Sequence, residues 1–245
     1  MTTVQIDTSF DVRTDSGGRD PDTHSPTLRS YHQYLWSKPL PDGRPFDLVA
    51  TTPGAYLHHR STVGEFWLAS DSVMQTFTHW EVTKRLVAEL PDDYVDWVRT
   101  ITYTIGGMLI FPGNRVDGKM TINGARGFTR RIADRVDLTL ECIRFHYRGE
   151  PSPLSAVLAR YGDFFDLFTD FEGYVEFFLL EDLMTSDGGV RFFMPFDGFA
   201  SPSVPRDLET YAELLRRSTD FVEARNRRIA GWVASPARGP GRHIR

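Results

Sequence analysis

Apolar positions along this chain follow two periods, and the places where one gives way to the other outline its elements. Leu28, Tyr31, Leu35 and Trp36 recur at helical spacing behind Ser25-Pro26, a serine suited to cap a first turn and a proline suited to begin it. Pro39 and Pro41 stop that helix. From Phe46 to Ser70 the pattern shortens to extended pieces, Ala55–His58 and Glu65–Ala69, between turn residues, which predicts a small β-sheet or hairpin. Ser70 or Asp71 is then positioned to cap a helix carrying Val73, Phe77, Trp80 and Val87 up to Pro91. A further helix places Tyr94, Trp97, Val98 and Ile101 inward, and the run Met108-Leu109-Ile110-Phe111, bounded by Gly106-Gly107 and Pro112, predicts a buried strand.

The second half carries mostly the helical period. Val136–Tyr147 forms one candidate, and Leu154, Val157, Leu158, Tyr161, Phe165 and Phe168 mark a second, opened by Ser152-Pro153. A third carries Phe171, Tyr174, Val175, Phe178 and Leu179. A Pro/Gly-rich connection through Phe192–Phe199 leads to a long C-terminal helix with Tyr211, Leu214, Leu215, Phe221, Val222 and Ile229 inward. The expectation is an α+β fold: a single helix-dominated domain over residues 25–232 with a small β-sheet from the N-terminal half. Residues 1–24, with Asp7, Asp11, Asp15, Asp20 and Asp22 among glycines and Pro21, read as an extended or loosely ordered arm, and 233–245 as a frayed basic tail.

Composition narrows the function classes. With 40% hydrophobic and 25% charged residues in 245, the chain is ordinary globular material, and its 18 phenylalanines supply a core. A formal net charge of -5 argues against indiscriminate binding to nucleic acid or anionic membrane, while leaving room for a local basic patch. The lone cysteine, Cys142, excludes an intramolecular disulfide and a multi-thiolate zinc site. None of the seven histidines forms H-x-H or H-E-x-x-H, so no metal site is predicted and no cofactor is identified. No leader-like segment or spanning apolar run is present, and the cytoplasm is the expected compartment.

The most chemically loaded stretch is Gly113–Arg131. Five glycines lie between Gly106 and Gly124, and Asn114, Arg115, Lys119, Asn123, Arg126, Arg130 and Arg131 stand among them with only Asp117 in opposition. Glycines that bare backbone N–H groups, next to guanidinium donors, suit a phosphate or carboxylate. Gly113 to Lys119 matches the first seven positions of the P-loop pattern. Met120 then stands where a magnesium-binding Ser or Thr belongs, and Asn123-Gly124 and Gly127 interrupt the helix that would receive the phosphates, which disfavours a P-loop NTPase. The bland alternative is a surface loop that its arginines merely solvate.

The runs SPTLRSYHQYLWSKPLPDG (25–43), FPGNRVDGKMTINGARGF (111–128), DLTLECIRFHY (137–147) and RNRRI (225–229) resemble an uncharacterised family of bacterial cytoplasmic proteins, over roughly residues 7–230. The resemblance implies a bacterial intracellular protein and brings no activity, fold or catalytic residue with it.

Two function classes fit these residues. In the first, the chain binds or acts on a nucleotide, nucleic acid or other phosphorylated ligand, held by Asn114, Arg115, Lys119, Asn123, Arg130 and Arg144, with Arg126 stabilising charge and Glu141 as base. Glu141, Arg144 and Arg148 share a face of the predicted helix, so that Glu141 and Arg144 could orient the loop's arginines, or form a plain solvated ion-pair stripe. In the second, the loop docks a protein carboxylate and the chain is a non-enzymatic partner subunit. The arginines from Arg225 onward suit either phosphates or an acidic partner face.

Overall fold

A computed structural model of the chain describes residues 5–49, 54–73 and 80–234. Helix α1 (Pro21–His24) is a single turn capped by Asp20, and α2 (Pro26–Trp36) follows, its first turn closed by Leu28 N–H donating to the Ser25 hydroxyl at 3.0 Å. Strands β1 (Leu57–Ser61), β2 (Gly64–Ser72) and β3 (Met108–Pro112) form one antiparallel sheet in the order β1-β2-β3. Leu57 pairs with Leu68, and Leu68 in turn with Pro112. The architecture is α+β, with the small sheet contributed by the N-terminal half as the alternation predicted.

Helices α3 (Glu81–Ala88) and α4 (Asp92–Thr102) lie between β2 and β3 in sequence. After β3 come α5 (Ile122–Phe128), α6 (Val136–Tyr147), α7 (Ser155–Leu158), α8 (Gly162–Asp166), α9 (Phe171–Phe177) and the 27-residue α10 (Leu208–Ala234). The core is aromatic where α8, α9 and α2 meet: Phe168 lies 5.4 Å from Tyr174 and 5.1 Å from Phe178, and Trp36 lies 5.5 Å from Phe178, ring to ring. Burying such rings supplies most of the driving force for the fold, at ~25 cal/mol per Å² of apolar surface. Among the described residues no helix is long and apolar enough to cross a membrane.

Several readings of the sequence change; Trp97, expected inward on α4, is 43% exposed. Ser70, Asp71 and Ser72 do not cap a helix; they are the last residues of β2, and α3 starts at Glu81 behind Trp80, with Phe77 outside the described residues. The amphipathic stretch 154–168 divides into α7, a 3-10 turn (Ala159–Tyr161) and α8, because the apolar period continues while the backbone leaves helical geometry at Tyr161 (φ -116°, ψ 27°). Ile122–Phe128 is helical despite Gly124 and Gly127, its first turn capped by the Thr121 hydroxyl, which accepts from Gly124 N–H at 3.3 Å. The acidic segment before residue 24 is packed: Ile6 and Val12 are buried, and Val12 N–H donates to the Tyr103 carbonyl at 3.1 Å. The tail from residue 235, with Arg238, Arg242 and Arg245, lies outside the described residues.

The glycines before β3 serve packing. A Cβ on Gly106 would stand 2.4 Å from the Asn226 side-chain oxygen, and one on Gly107 would stand 2.0 Å from the Thr102 carbonyl. The bare Gly106 lets α10 seat directly on this backbone, where Gly106 N–H donates to Asn226 at 2.8 Å, and the bare Gly107 lets the chain pass close to the end of α4. Arg225, fully buried, donates to the carbonyls of Gly106, Met108 and Phe178, each at 2.9 Å, so this arginine of the basic C-terminal run ties α10 to the start of β3. Arg228 pairs with Asp182 at 2.8 Å.

Candidate functional site

Successive residues of a strand point to opposite faces, so the end of β2 presents Ser70 and Ser72 to one side and Asp71 to the other. Phe66 and Leu68 share the face of Ser70 and Ser72; Phe66, Leu68 and Ser72 are buried and Ser70 is half-buried. The alternation thus turns from apolar to hydroxyl at the edge of the core. Buried polar groups require partners, and three distant segments supply them.

Asp22, at the start of α1, receives both Ser70 donors: the backbone N–H at 2.7 Å on Oδ2 and the hydroxyl on Oδ1. Burial pushes the Asp22 carboxyl up to about 7, the Ser70 bonds opposing that rise. Asn123, from α5, donates its side-chain amide to the Ser70 carbonyl at 3.2 Å. Arg126, one turn later, is fully buried; its Nη1 donates to Asp71 Oδ2 at 2.8 Å and to the Ser72 carbonyl at 3.1 Å. Its Nη2 donates to the Asp134 carbonyl at 2.9 Å and its Nε to the Thr139 hydroxyl at 3.2 Å, while Asp134 Oδ1 lies 3.2 Å from Nη1. Burial pulls on the Arg126 guanidinium, but Asp134 and Asp71 outweigh it and hold the arginine firmly charged. Burial also raises the Asp134 carboxyl, with Arg126 working against it. Ala133 and Asp134 both adopt positive φ (51° and 63°), a costly pairing for non-glycine residues that the Arg126 contacts hold in place.

Beside this hub lies a cavity of about 130 Å³ whose walls include Asp20, Asp22, Ser70, Asp71 and Tyr103. Its carboxylates make it inhospitable to phosphate.

The Gly113–Arg131 segment therefore divides. Arg126 and Asn123, expected to hold an anion, face inward and hold β2; the guanidinium of Arg126 has each of its three nitrogens engaged by protein. Asn114 is half-buried, its carbonyl accepting from the Tyr161 hydroxyl at 2.9 Å. Glu141, expected as the base, is 2% exposed and held by Arg144 through two bonds of 2.7 and 2.5 Å. Among the described residues neither member of that pair bonds to residues 113–131, so Arg144 does not join the loop's cations. Arg115, Lys119, Arg130 and Arg131 are exposed, Arg130 with its guanidinium 5.3 Å from the Trp80 ring centre. Of the loop's glycines up to Gly124, only Gly118 takes positive φ, in a turn with Asp117.

Sequence reasoning missed Asp22, Ser70, Asp71 and Asp134. The one legible signal was the strand register, in which Ser70 and Ser72 continue the inward row of Phe66 and Leu68. Nothing local marks Asp22 or Asp134, whose partners lie 48 and 8 residues away.

The chain matches the model of the Family of unknown function (DUF6994) over residues 6–229 and belongs to that family. The match takes in the hub and the exposed cations alike. No curated protein and no solved structure matches the chain.

Proposed function

We propose that the chain binds a phosphate-bearing polymer, a strand of nucleic acid, across the outer side of residues 113–131. The observation that carries this reading is the placement of Arg115, Lys119, Arg130 and Arg131: four exposed cations within seventeen residues, with no ion pair to a carboxylate among the described residues. Between residues 118 and 131 there is no acid at all. Cations this exposed act through charge, spaced along a surface, and suit successive phosphates better than a single mononucleotide enclosed in a pocket. Binding rather than catalysis is what this face supports, because the candidate base Glu141 is buried and already paired.

The test is fluorescence anisotropy with a short labelled single-stranded oligonucleotide over a range of NaCl concentrations. Four phosphate contacts give a slope of log K against log salt of about -3. The double variant Arg115→Glu/Lys119→Glu weakens binding by about tenfold or more and flattens that slope. Unchanged affinity in the folded double variant overturns the proposal. Tighter binding of an acidic polypeptide than of the oligonucleotide transfers the same face to the partner-subunit reading.

A further inference from the structure

Far from that face in sequence, α10 and the segment around residues 181–193 line a half-open cavity of about 490 Å³, within the range of ~300–1,000 Å³ typical of small-molecule sites. Its apolar wall is aromatic. Phe193 and Phe221 are buried with ring centres 6.2 Å apart, and Phe192 stacks on Phe196 at 4.2 Å.

The charges around it are unevenly committed. Asp182 is held by Arg228 through bonds of 2.8 and 2.9 Å, and Asp220 by Arg216 at 2.6 Å. Glu181 lies 3.4 Å from Arg228. Asp220 thus has Arg216, whereas Asp182 and Glu181 share Arg228, and Glu181 Oε2 is buried without a hydrogen-bond partner among the described residues. Arg216 is further occupied by Glu213, through two contacts of 2.8 Å. Arg191 differs: it is exposed, and among the described residues its guanidinium reaches only the Met184 carbonyl, at 3.4 Å. Arg217 spends Nε on Glu213 at 2.6 Å and Nη1 on the Phe192 carbonyl at 3.5 Å, which leaves Nη2. Beside this aromatic wall Arg191 therefore has no carboxylate partner among the described residues, and Arg217, paired with Glu213, keeps Nη2 as a further donor.

We infer that this cavity is a binding site for an organic monoacid, a carboxylate carried on an aromatic or aliphatic body, with Arg191 and Arg217 on the carboxylate and the phenylalanines on the body. A guanidinium fork matches carboxylate geometry. A phosphate dianion would meet Asp220, Asp182 and Glu181 across the same space, and like charges brought together there are unfavourable. The ligand class is therefore singly charged.

Arginine Nε–H signals followed by NMR in the full chain test this, with 3-phenylpropanoate and hexanoate as probes and 3-phenylpropanamide and phenyl phosphate as controls. The expected result is saturable movement of the Arg191 and Arg217 signals with at least one of the two acids, with about tenfold weaker response to the amide and the phosphate. The variants Arg191→Ala and Arg217→Ala, both exposed positions, each weaken the acid by about tenfold with unchanged thermal stability in its absence. The proposal is overturned if neither acid moves these signals, if the amide binds as tightly, or if both variants retain full affinity. Because no residue of 113–131 takes part, failure here leaves the oligonucleotide experiment unaffected, and the reverse holds too.

Discussion

Residues 113–131 hold two sets of cations that look alike in sequence and differ in almost every physical respect. Arg126 is fully buried, faces Asp71 and Asp134, and ties the end of β2 to the turn after α5. Arg115 and Lys119 stand a few residues earlier in water with no ion-pair partner among the described residues. A buried arginine must be matched by carboxylates and carbonyls or it does not stay buried. An exposed one needs no partner in the fold and so remains available to a ligand. The lesson is that the density of basic residues in a stretch says little about function until each is sorted by burial.

The comparison breaks most visibly at Arg126. Arg126→Met leaves Asp71 and Asp134 facing each other without their cation, and is expected to cost ~3–5 kcal/mol in urea denaturation. A loss below about 1 kcal/mol would return Arg126 to the company of the exposed cations.

The next effect concerns the opposite side of the same strand. Asp22 sits at about 7 in the folded protein against an ordinary 3.8, because burial disfavours its charge. Between those values the folded protein keeps a proton that the unfolded chain releases. The stabilisation is therefore complete below the lower value and is lost as pH rises through about 7, at up to ~1.4 kcal/mol per pH unit. Unfolding measured across that window should show this fall in the native chain and a flatter profile in Asp22→Asn. Identical slopes would mean that the carboxyl does not carry the proton.

The smallest effect completes the contrast. Arg115→Glu/Lys119→Glu should unfold within about 0.5 kcal/mol of the native protein, as substitutions on an exposed surface do. A larger loss would show that these cations also hold the fold, and any fall in oligonucleotide affinity would then need a structural explanation first.

Much of the architecture was legible because it is written locally. The Ser25-Pro26 cap, the apolar run of β3 and the spacing of Tyr211, Leu215 and Val222 each predict an element from residues within a few turns of one another. Where local signals competed, they misled. Ser70 and Asp71 have the composition of a helix cap, yet pairing with Ile110 and Leu109 across the sheet keeps them in a strand. Gly124 and Gly127 disfavour a helix, yet the Thr121 cap and the inward pull of Ile122 and Arg126 form one.

The candidate surface was legible in outline only. The sequence by itself determined that residues 113–131 concentrate cations and that the chain builds an α+β core rich in phenylalanine. Tertiary structure alone decided which cations are spent inside, because that depends on carboxylates and carbonyls brought together from far along the chain. Asp71 reaches Arg126 across 55 residues and Asp22 reaches Ser70 across 48. Periodicity reports which side of an element is buried. It does not report what waits on the other side of the contact, and for a charged group that partner settles whether it holds the fold or faces the solvent.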